Sequence, residues 1–488
     1  MIHLPFLMNL LALTWLSLSL ADAQTTPTQP NIVLVFIDDL GWAAITPYGN
    51  PYQQMPHLDR LAAEGMKFTQ AYVTPQCTPT RASLLTGQHT ARNEMWHVIP
   101  GYGYPYARMQ EPVFRRNLPQ NTYTLSKALQ DNGYTTALLG KWHLTANDDG
   151  YYTYLFDHAK QHYGFDYVNP RQNPESYHAR GDKGVAFLTQ EAMGFMETAT
   201  QAGKPFFVYL SHHTIHNEVL APDSLVEKYK ALGWPYQNRQ VEKIGYPSNA
   251  VYLGALNHID NSLGQLFSKI EELGIEENTI VIFLSDNGGV DNQFENFPLR
   301  YGKGSPFEGG IRVPFLVKWP GKVRPASVSQ EPVHVVDMYP TLLEMAGATM
   351  HREHSLDGLS LLPLLTGQGK PNRDALYWYM PLYDIQWGAT PSAIIREGSY
   401  KLIHFFGDYI DLENASAYIP EARTFLFDLE KDISETQNLS EARPELRDRL
   451  KVKLFQWLKE IGTELPTLNP NYQPDSVYVS KPGGRFKP

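Results

Sequence analysis

Four short apolar runs punctuate the chain, and each ends in a polar cluster. Asn31–Ile37 leads into Asp38-Asp39, and Thr135–Gly140 into Lys141-Trp142-His143. Residues 205–210 lead into Ser211-His212-His213-Thr214-Ile215-His216, and residues 279–284 into Ser285-Asp286-Asn287-Gly288-Gly289. Unbroken, β-branched-rich runs of this length predict strands buried on both faces, as in a parallel sheet. Helical spacing lies between them. Residues 55–66 put Leu58, Leu61 and Ala62 on one face, and residues 124–132 end at Gly133. Residues 249–273 carry Leu253, Leu256, Ile259, Leu263, Leu266 and Ile270 until Gly274 stops the helix. The alternation predicts an α/β fold with a large, mainly parallel central sheet flanked by helices. Ligands in such folds bind beyond the carboxyl ends of the strands, so the four polar clusters should converge on one pocket.

Near residue 375 the pattern changes. Residues 393–404 read as a hairpin with a Gly398-Ser399 turn, and residues 425–429 as a further strand. Pro444–Ile461 is an amphipathic helix bearing Leu446, Leu450, Leu454, Trp457, Leu458 and Ile461. This predicts a catalytic α/β domain over residues 24–375 and a smaller antiparallel α+β lobe over residues 376–488. At the other end, residues 4–20 are almost continuously apolar, and Ala21-Asp22-Ala23 forms a small-x-small cleavage pattern. Residues 1–23 therefore read as a signal peptide of a secreted or periplasmic protein. No other window is apolar enough to span a bilayer, so stable membrane insertion is not expected.

Composition narrows the function. With 42% apolar and 19% charged residues the chain is globular, and its formal charge of −10 argues against nucleic acid as a partner, since phosphate binding needs a basic stripe. Aromatics reach 12%, with tyrosine-rich stretches at 101–106, 151–168 and 229–252 that read as loops walling a cleft. Such a surface suits stacking on sugar rings or aryl groups.

The clusters carry the chemistry. Asp38-Asp39 and Asp286-Asn287 put three carboxylates and an amide oxygen at two strand tips, where the carboxylates would repel one another. A hard divalent cation resolves the repulsion, and oxygen-only ligation favours calcium or magnesium over zinc. Taken singly, Asp-Asp is a helix cap and Asp-Asn-Gly-Gly a turn; at equivalent strand ends they point to metal. Arg81, Lys141 and Lys303 follow polar or glycine-rich turns. Each alone is an ordinary surface cation, but together with a metal they suit a sulfate or phosphate group. His143, His213 and His216 offer acid–base function. The only cysteine, Cys77, stands in Pro75-Gln76-Cys77-Thr78-Pro79-Thr80-Arg81, which reads as a turn presenting a side chain.

These motifs resemble those of the type I sulfatases of the alkaline phosphatase superfamily. Cys77-Thr78-Pro79-Thr80-Arg81 with Leu84-Leu85-Thr86-Gly87 is similar to the family's C-x-P-S/A-R…L-L-T-G signature. Asp38-Asp39-Leu40-Gly41-Trp42, Gly140-Lys141-Trp142-His143 and Ser285-Asp286-Asn287-Gly288 resemble further motifs, in the family's order. So do Gly302-Lys303-Gly304 with Glu308-Gly309-Gly310-Ile311-Arg312-Val313-Pro314, and Asp337-Met338-Tyr339-Pro340. The resemblance implies an alkaline phosphatase-like fold and hydrolysis of a sulfate monoester; export, abundant aromatics and long loops point to a sulfated sugar or polysaccharide as its carrier.

It further implies that a maturation enzyme oxidises Cys77 to formylglycine (3-oxoalanine). The hydrated aldehyde attacks sulfur, forms a covalent sulfate and then expels it by collapsing to the aldehyde. Asp38, Asp39, Asp286 and Asn287 would hold Ca2+ together with the oxygen of residue 77. Arg81 and His143 would orient and activate the diol, while Lys141, Lys303 and His216 would bind sulfate and protonate the leaving oxygen. Two departures stand out. Thr80 replaces serine or alanine, and His213-Thr214-Ile215-His216-Asn217 lacks the prolines of H-x-P-H-x-P, which leaves His213 and His216 both in play. An arylsulfatase, a phosphonate monoester or phosphodiester hydrolase, and a calcium-dependent glycan binder with unconverted Cys77 are the alternative readings.

Overall fold

The computed structural model describes residues 29–99, 101–146, 156–169, 181–232, 249–290, 296–412, 417–482 and 486–487. The expected signal peptide, and parts of the tyrosine-rich stretches 151–168 and 229–252, lie outside the described residues.

A nine-stranded mixed sheet organises the molecule. Its strands are β1 (Asn31–Ile37), β2 (Met66–Tyr72), β3 (Thr135–Gly140), β4 (Tyr167–Val168), β5 (Phe206–Ser211), β6 (Thr279–Ser285), β7 (Arg312–Lys318), β8 (Ser327–Ser329) and β9 (Val333–His334). The order is β8-β2-β7-β6-β1-β5-β3-β4, with β9 alongside β2. Strands β1, β3, β4, β5 and β6 run parallel to their neighbours in this half of the sheet, as expected. Only β7 is antiparallel to both neighbours, β2 and β6. Pro314 lies in β7 where the register slips between Val313 and Phe315, because proline cannot donate to the ladder.

The continuous apolar runs are explained by burial on both faces. All seven residues of β1 are buried. Ile32, Leu34 and Phe36 face a core built with α2 (Cys77–Thr86), α3 (Leu125–Asp131) and α6 (Met338–Met345). Val33, Val35 and Ile37 face α1 (Pro56–Glu64), α4 (Val185–Gln201) and α5 (Asn249–Glu272). The period of two thus splits each strand between two helical layers.

The C-terminal region adds an antiparallel sheet of β10 (Leu376–Met380), β11 (Ser392–Glu397), β12 (Tyr400–Phe405) and β13 (Arg423–Asp428). Helix α7 (Pro444–Ile461) covers one face with Leu450, Leu454 and Leu458. This sheet is clamped to the main one. Trp378 Nε1 donates to the Val73 carbonyl at 2.8 Å, and Lys401 of β12 lies 3.0 Å from Glu308 and 2.9 Å from Glu435, all fully buried.

Two expectations need correction. The helix read over 55–66 stops at Glu64, and Met66 opens β2, whose mixed polarity (Met-Lys-Phe-Thr-Gln-Ala-Tyr) hid the strand. The Cys77 segment is not a turn. Cys77 is the first residue of α2, all ten residues of which are buried, and Pro79 is accommodated because the first helical turn needs no N–H donor there.

Candidate active site

The polar clusters do meet, at the carboxyl ends of β1, β3, β5 and β6. Backbone hydrogen bonds lace the ends together: Asp38 N–H to the Thr214 carbonyl (3.2 Å), Lys141 N–H to Ser211 (2.7 Å) and Asp286 N–H to Ile37 (3.1 Å). Gly140 has φ 100°, and a Cβ there would stand 2.0 Å from the Ser211 carbonyl oxygen, so only glycine lets β3 and β5 approach this closely. Asp39, His143 and Tyr301 all hold left-handed backbone at φ 65°, 57° and 57°. Such non-glycine conformations cost energy and concentrate where side chains must be aimed.

Each carboxylate is paired with one cation. Asp38 Oδ2 accepts from Lys141 at 2.6 Å, Asp39 Oδ1 lies 2.7 Å from Lys303 Nζ, and Asp286 Oδ2 accepts from Arg81 Nη2 at 2.7 Å. None of the three cations is a surface residue: Arg81, Lys141 and Lys303 are 0%, 3% and 8% exposed. Arg81 lies over the Phe36 ring and also donates to the Lys141 carbonyl and the Ser211 hydroxyl. It therefore fastens α2 to three strand ends. The pairing overcomes desolvation at Asp38 and Asp39, whose carboxyls fall below the usual range, chiefly through Lys141 for the first and Lys303 for the second. Burial, then Asp38, push the Asp286 carboxyl upward.

Cys77 Sγ lies 3.3 Å from His143 Nδ1, and His143 Nε2 is 3.0 Å from the Ile99 carbonyl. A carbonyl can only accept, so Nε2 carries the hydrogen and Nδ1 is an acceptor facing residue 77. Burial, then Lys141, hold this imidazole neutral, well below its ordinary value. Thr80, the departure from the usual motif, is absorbed locally. Its hydroxyl engages the Thr74 N–H (3.0 Å), carbonyl (3.1 Å) and hydroxyl (2.6 Å), fixing the turn that enters α2.

His213 and His216 both belong to the loop after β5. The charges acting on His216 are Lys303, Asp38, Asp39 and Lys141, and burial followed by Lys303 drives it down to about 3. His213 feels Lys183, Asp38, Lys141 and Arg81, and burial holds it well below its ordinary value.

Lys183, which the sequence reading passed over, donates to the His216 carbonyl at 2.5 Å and the Glu218 carbonyl at 2.9 Å. Its only sequence signal is the pair of flanking residues in Asp182-Lys183-Gly184. Asp384 was also missed. It arrives from the C-terminal region to accept from Gln76 Nε2 at 2.7 Å, one residue before Cys77. No local pattern marks it.

Two buried acceptors, Asp38 Oδ1 and Asn287 Oδ1, have no hydrogen-bond partner among the described residues. Asp38, Cys77 and Asp286 offer ligand atoms all within 4.8 Å of one another. Orphaned oxygen acceptors beside paired carboxylates fit a hard cation such as calcium, since leaving them bare costs about 1–3 kcal/mol each.

Comparison with known proteins agrees with this geometry. The Sulfatase family model matches residues 30–348, and the model of the N-sulphoglucosamine sulphohydrolase C-terminal region matches residues 300–461. Bovine (Bos taurus) arylsulfatase A is 32% identical, with 89% of this chain and 88% of that protein covered. N-acetylgalactosamine-6-sulfatase of Canis lupus familiaris is 33% identical over 73% of this chain and 70% of its own length. Among solved structures, Ps i-CgsB in complex with k-i-k-neocarrahexaose superposes with a TM-score of 0.70 at 26% identity, covering 91% and 94% of the two chains. By its motifs, its fold and these relatives, the chain belongs to the sulfatase family and is a sulfuric ester hydrolase of the alkaline phosphatase-like fold.

Proposed function

We propose that the protein is an exported, formylglycine- and calcium-dependent sulfatase acting on a sulfated sugar or polysaccharide. The observation that carries the reading is the convergence, at four strand ends, of Cys77 with Asp38, Asp39, Asp286 and Asn287 and with buried Arg81, Lys141 and Lys303. A sugar is supported by relatives named for N-acetylgalactosamine 6-sulfate and crystallised with a neocarrahexaose, and by the aromatic-rich composition. Export rests on residues 1–23; no helix among the described residues is long and apolar enough to cross a membrane.

Asp38, Asp39, Asp286 and Asn287, with residue 77, would hold the calcium ion. When bound, calcium supplies positive charge for the sulfate oxygens, and the aldehyde hydrate at residue 77 supplies the attacking hydroxyl. Lys141 and Lys303 bind the sulfate oxygens and neutralise the charge that develops there. His143 accepts a proton at Nδ1 from the hydroxyl of residue 77. His216 donates a proton to the departing oxygen. A sulfate anion beside it favours its protonated form. Arg81 holds Asp286 and the two strand ends in register.

Peptide mass spectrometry across residue 77, with sulfate release from sulfated oligosaccharides, 4-nitrophenyl sulfate and an aryl phosphodiester, tests the reading. An aldehyde at residue 77 and preferred release of sulfate from a sugar are expected. Full turnover by Cys77→Ala, or faster cleavage of the phosphodiester, would sink it.

A further inference from the structure

The loop between β10 and β11 reaches across to the site. It is closed by a two-way backbone pairing between Asp384 and Ala389 at 3.1 Å each way, with Trp387 N–H donating to the Asp384 carbonyl at 2.9 Å. Its base is pinned where Tyr383 donates its N–H to Glu111 and its hydroxyl to Asp408. The loop presses directly on the Lys303 turn. A Cβ on Gly304 would stand 2.5 Å from Trp387 Cβ, and Lys303 Nζ lies 6.0 Å from the centre of the half-buried indole.

Asp384 is oddly placed for a site that takes an anion. Its carboxylate, 7% exposed, contacts Gln76 beside Cys77, and the Lys303 charge acts on it. Burial raises its carboxyl to about 7, and its Oδ2 is the acceptor for the Gln76 amide. Gln76 supplies a second one: its Oε1 is buried and has no hydrogen-bond partner among the described residues. Two acceptors beside Cys77 and an aromatic ring beside Lys303 are poor partners for a sulfate oxygen, which is itself an acceptor. They call for hydrogen-bond donors on a flat-faced ring.

We infer that Asp384 and Trp387, with Gln76 Oε1, form the subsite for the alcohol part of the substrate. The group bound there carries a donor, a sugar hydroxyl or amide N–H, next to the sulfated oxygen. The inference rests on the sulfatase reading above and specifies its substrate. The rival role for Asp384 is a clamp that merely holds Gln76, and through it residue 77, in place. A clamp treats all substrates alike.

The test compares Asp384→Asn and Trp387→Ala with wild type on two substrates. One is 4-nitrophenyl sulfate, whose ring carries no donor. The other is the best-cleaved member of a panel of N-acetylgalactosamine 6-sulfate, galactose 6-sulfate and glucosamine 6-sulfate. A hydrogen bond to a charged group contributes about 1.5–3 kcal/mol, so kcat/KM for sugar relative to arene should fall about 10- to 150-fold in Asp384→Asn. The loss should sit in KM, and Trp387→Phe should recover part of what Trp387→Ala loses. Equal falls on both substrates, or no change in the ratio, overturn the subsite. In a Cys77→Ala background, sugar sulfate affinity should fall with Asp384→Asn even where turnover is absent, and unchanged affinity counts against it. A wild type that releases sulfate from neither substrate overturns the sulfatase reading itself, a different result from an unchanged ratio.

Discussion

Adding calcium to chelator-treated protein should stabilise it, by an amount the site allows one to estimate. Asp38 Oδ1 and Asn287 Oδ1 are buried acceptors without donors, each costing about 1–3 kcal/mol in the free protein. A ligand that fills them and binds only the folded chain contributes RT ln(1 + [L]/Kd), about 2.7 kcal/mol at a hundredfold excess over Kd. A 488-residue chain unfolds with an entropy of about 1 kcal/mol/K, from about 2.1 cal/mol/K per residue. The expected rise in Tm is therefore about 3 °C, read by scanning calorimetry with and without calcium. Magnesium should give less, because it demands tighter octahedral geometry and sheds water reluctantly. Asn287→Ala removes one orphaned oxygen together with the 2.8 Å bond from Asn287 Nδ2 to Asp39, and should at least halve the shift. No shift at millimolar calcium, or an equal shift in Asn287→Ala, would refute the reasoning.

Three further perturbations follow from named contacts. Burial, opposed chiefly by Asp38, lowers the Lys183 ammonium to about 8. It is charged below that pH and neutral above, so its hold on the His216 and Glu218 carbonyls weakens as pH rises. Lys183→Arg, charged throughout, should move the alkaline limb of kcat/KM upward, and an unmoved limb contradicts the role. Lys401→Met strands buried Glu308 and Glu435 and should cost about 3–5 kcal/mol in urea unfolding at unchanged m-value; a loss under 1 kcal/mol contradicts it. Thr80→Val leaves the Thr74 N–H without its acceptor and should cost about 1–3 kcal/mol, whereas Thr80→Ser should unfold close to wild type.

Legibility in the sequence followed the range of the interactions involved. Strand β1 is readable to the residue because both of its faces are buried, so apolarity is continuous and ends abruptly at Asp38. Strand β2 is not, since Lys67, Thr69 and Gln70 are only half-buried and β2 pairs with β7 and β8, far away in sequence. Arg81 and Lys303 were legible as chemistry but not as buried groups, because their burial depends on Asp286 and Asp39 some two hundred and more residues distant. Asp384 left no trace at all: its contact with Gln76 spans 308 residues, and nothing in its own neighbourhood marks it.

The charge arithmetic of the free site constrains how it can bind. Asp38, Asp39 and Asp286 are matched one-to-one by Lys141, Lys303 and Arg81, so each buried carboxylate has its own cation. Arg81 is locked by four hydrogen bonds, but Lys141 and Lys303 each answer chiefly to one carboxylate. Those two ammonium groups can serve a carboxylate or a sulfate oxygen, not both at full strength. On the proposed reading, the lysines are released toward sulfate only when the carboxylates are satisfied by a divalent cation, which also leaves net positive charge for the incoming anion. Cation and anion binding must then be coupled, and by linkage each raises the affinity for the other. Inorganic sulfate should therefore bind more tightly with calcium present than in chelator, by calorimetric titration. Equal affinity in both buffers would mean that the lysines are free to leave their carboxylates unaided, and that the one-to-one pairing has no part in gating the site.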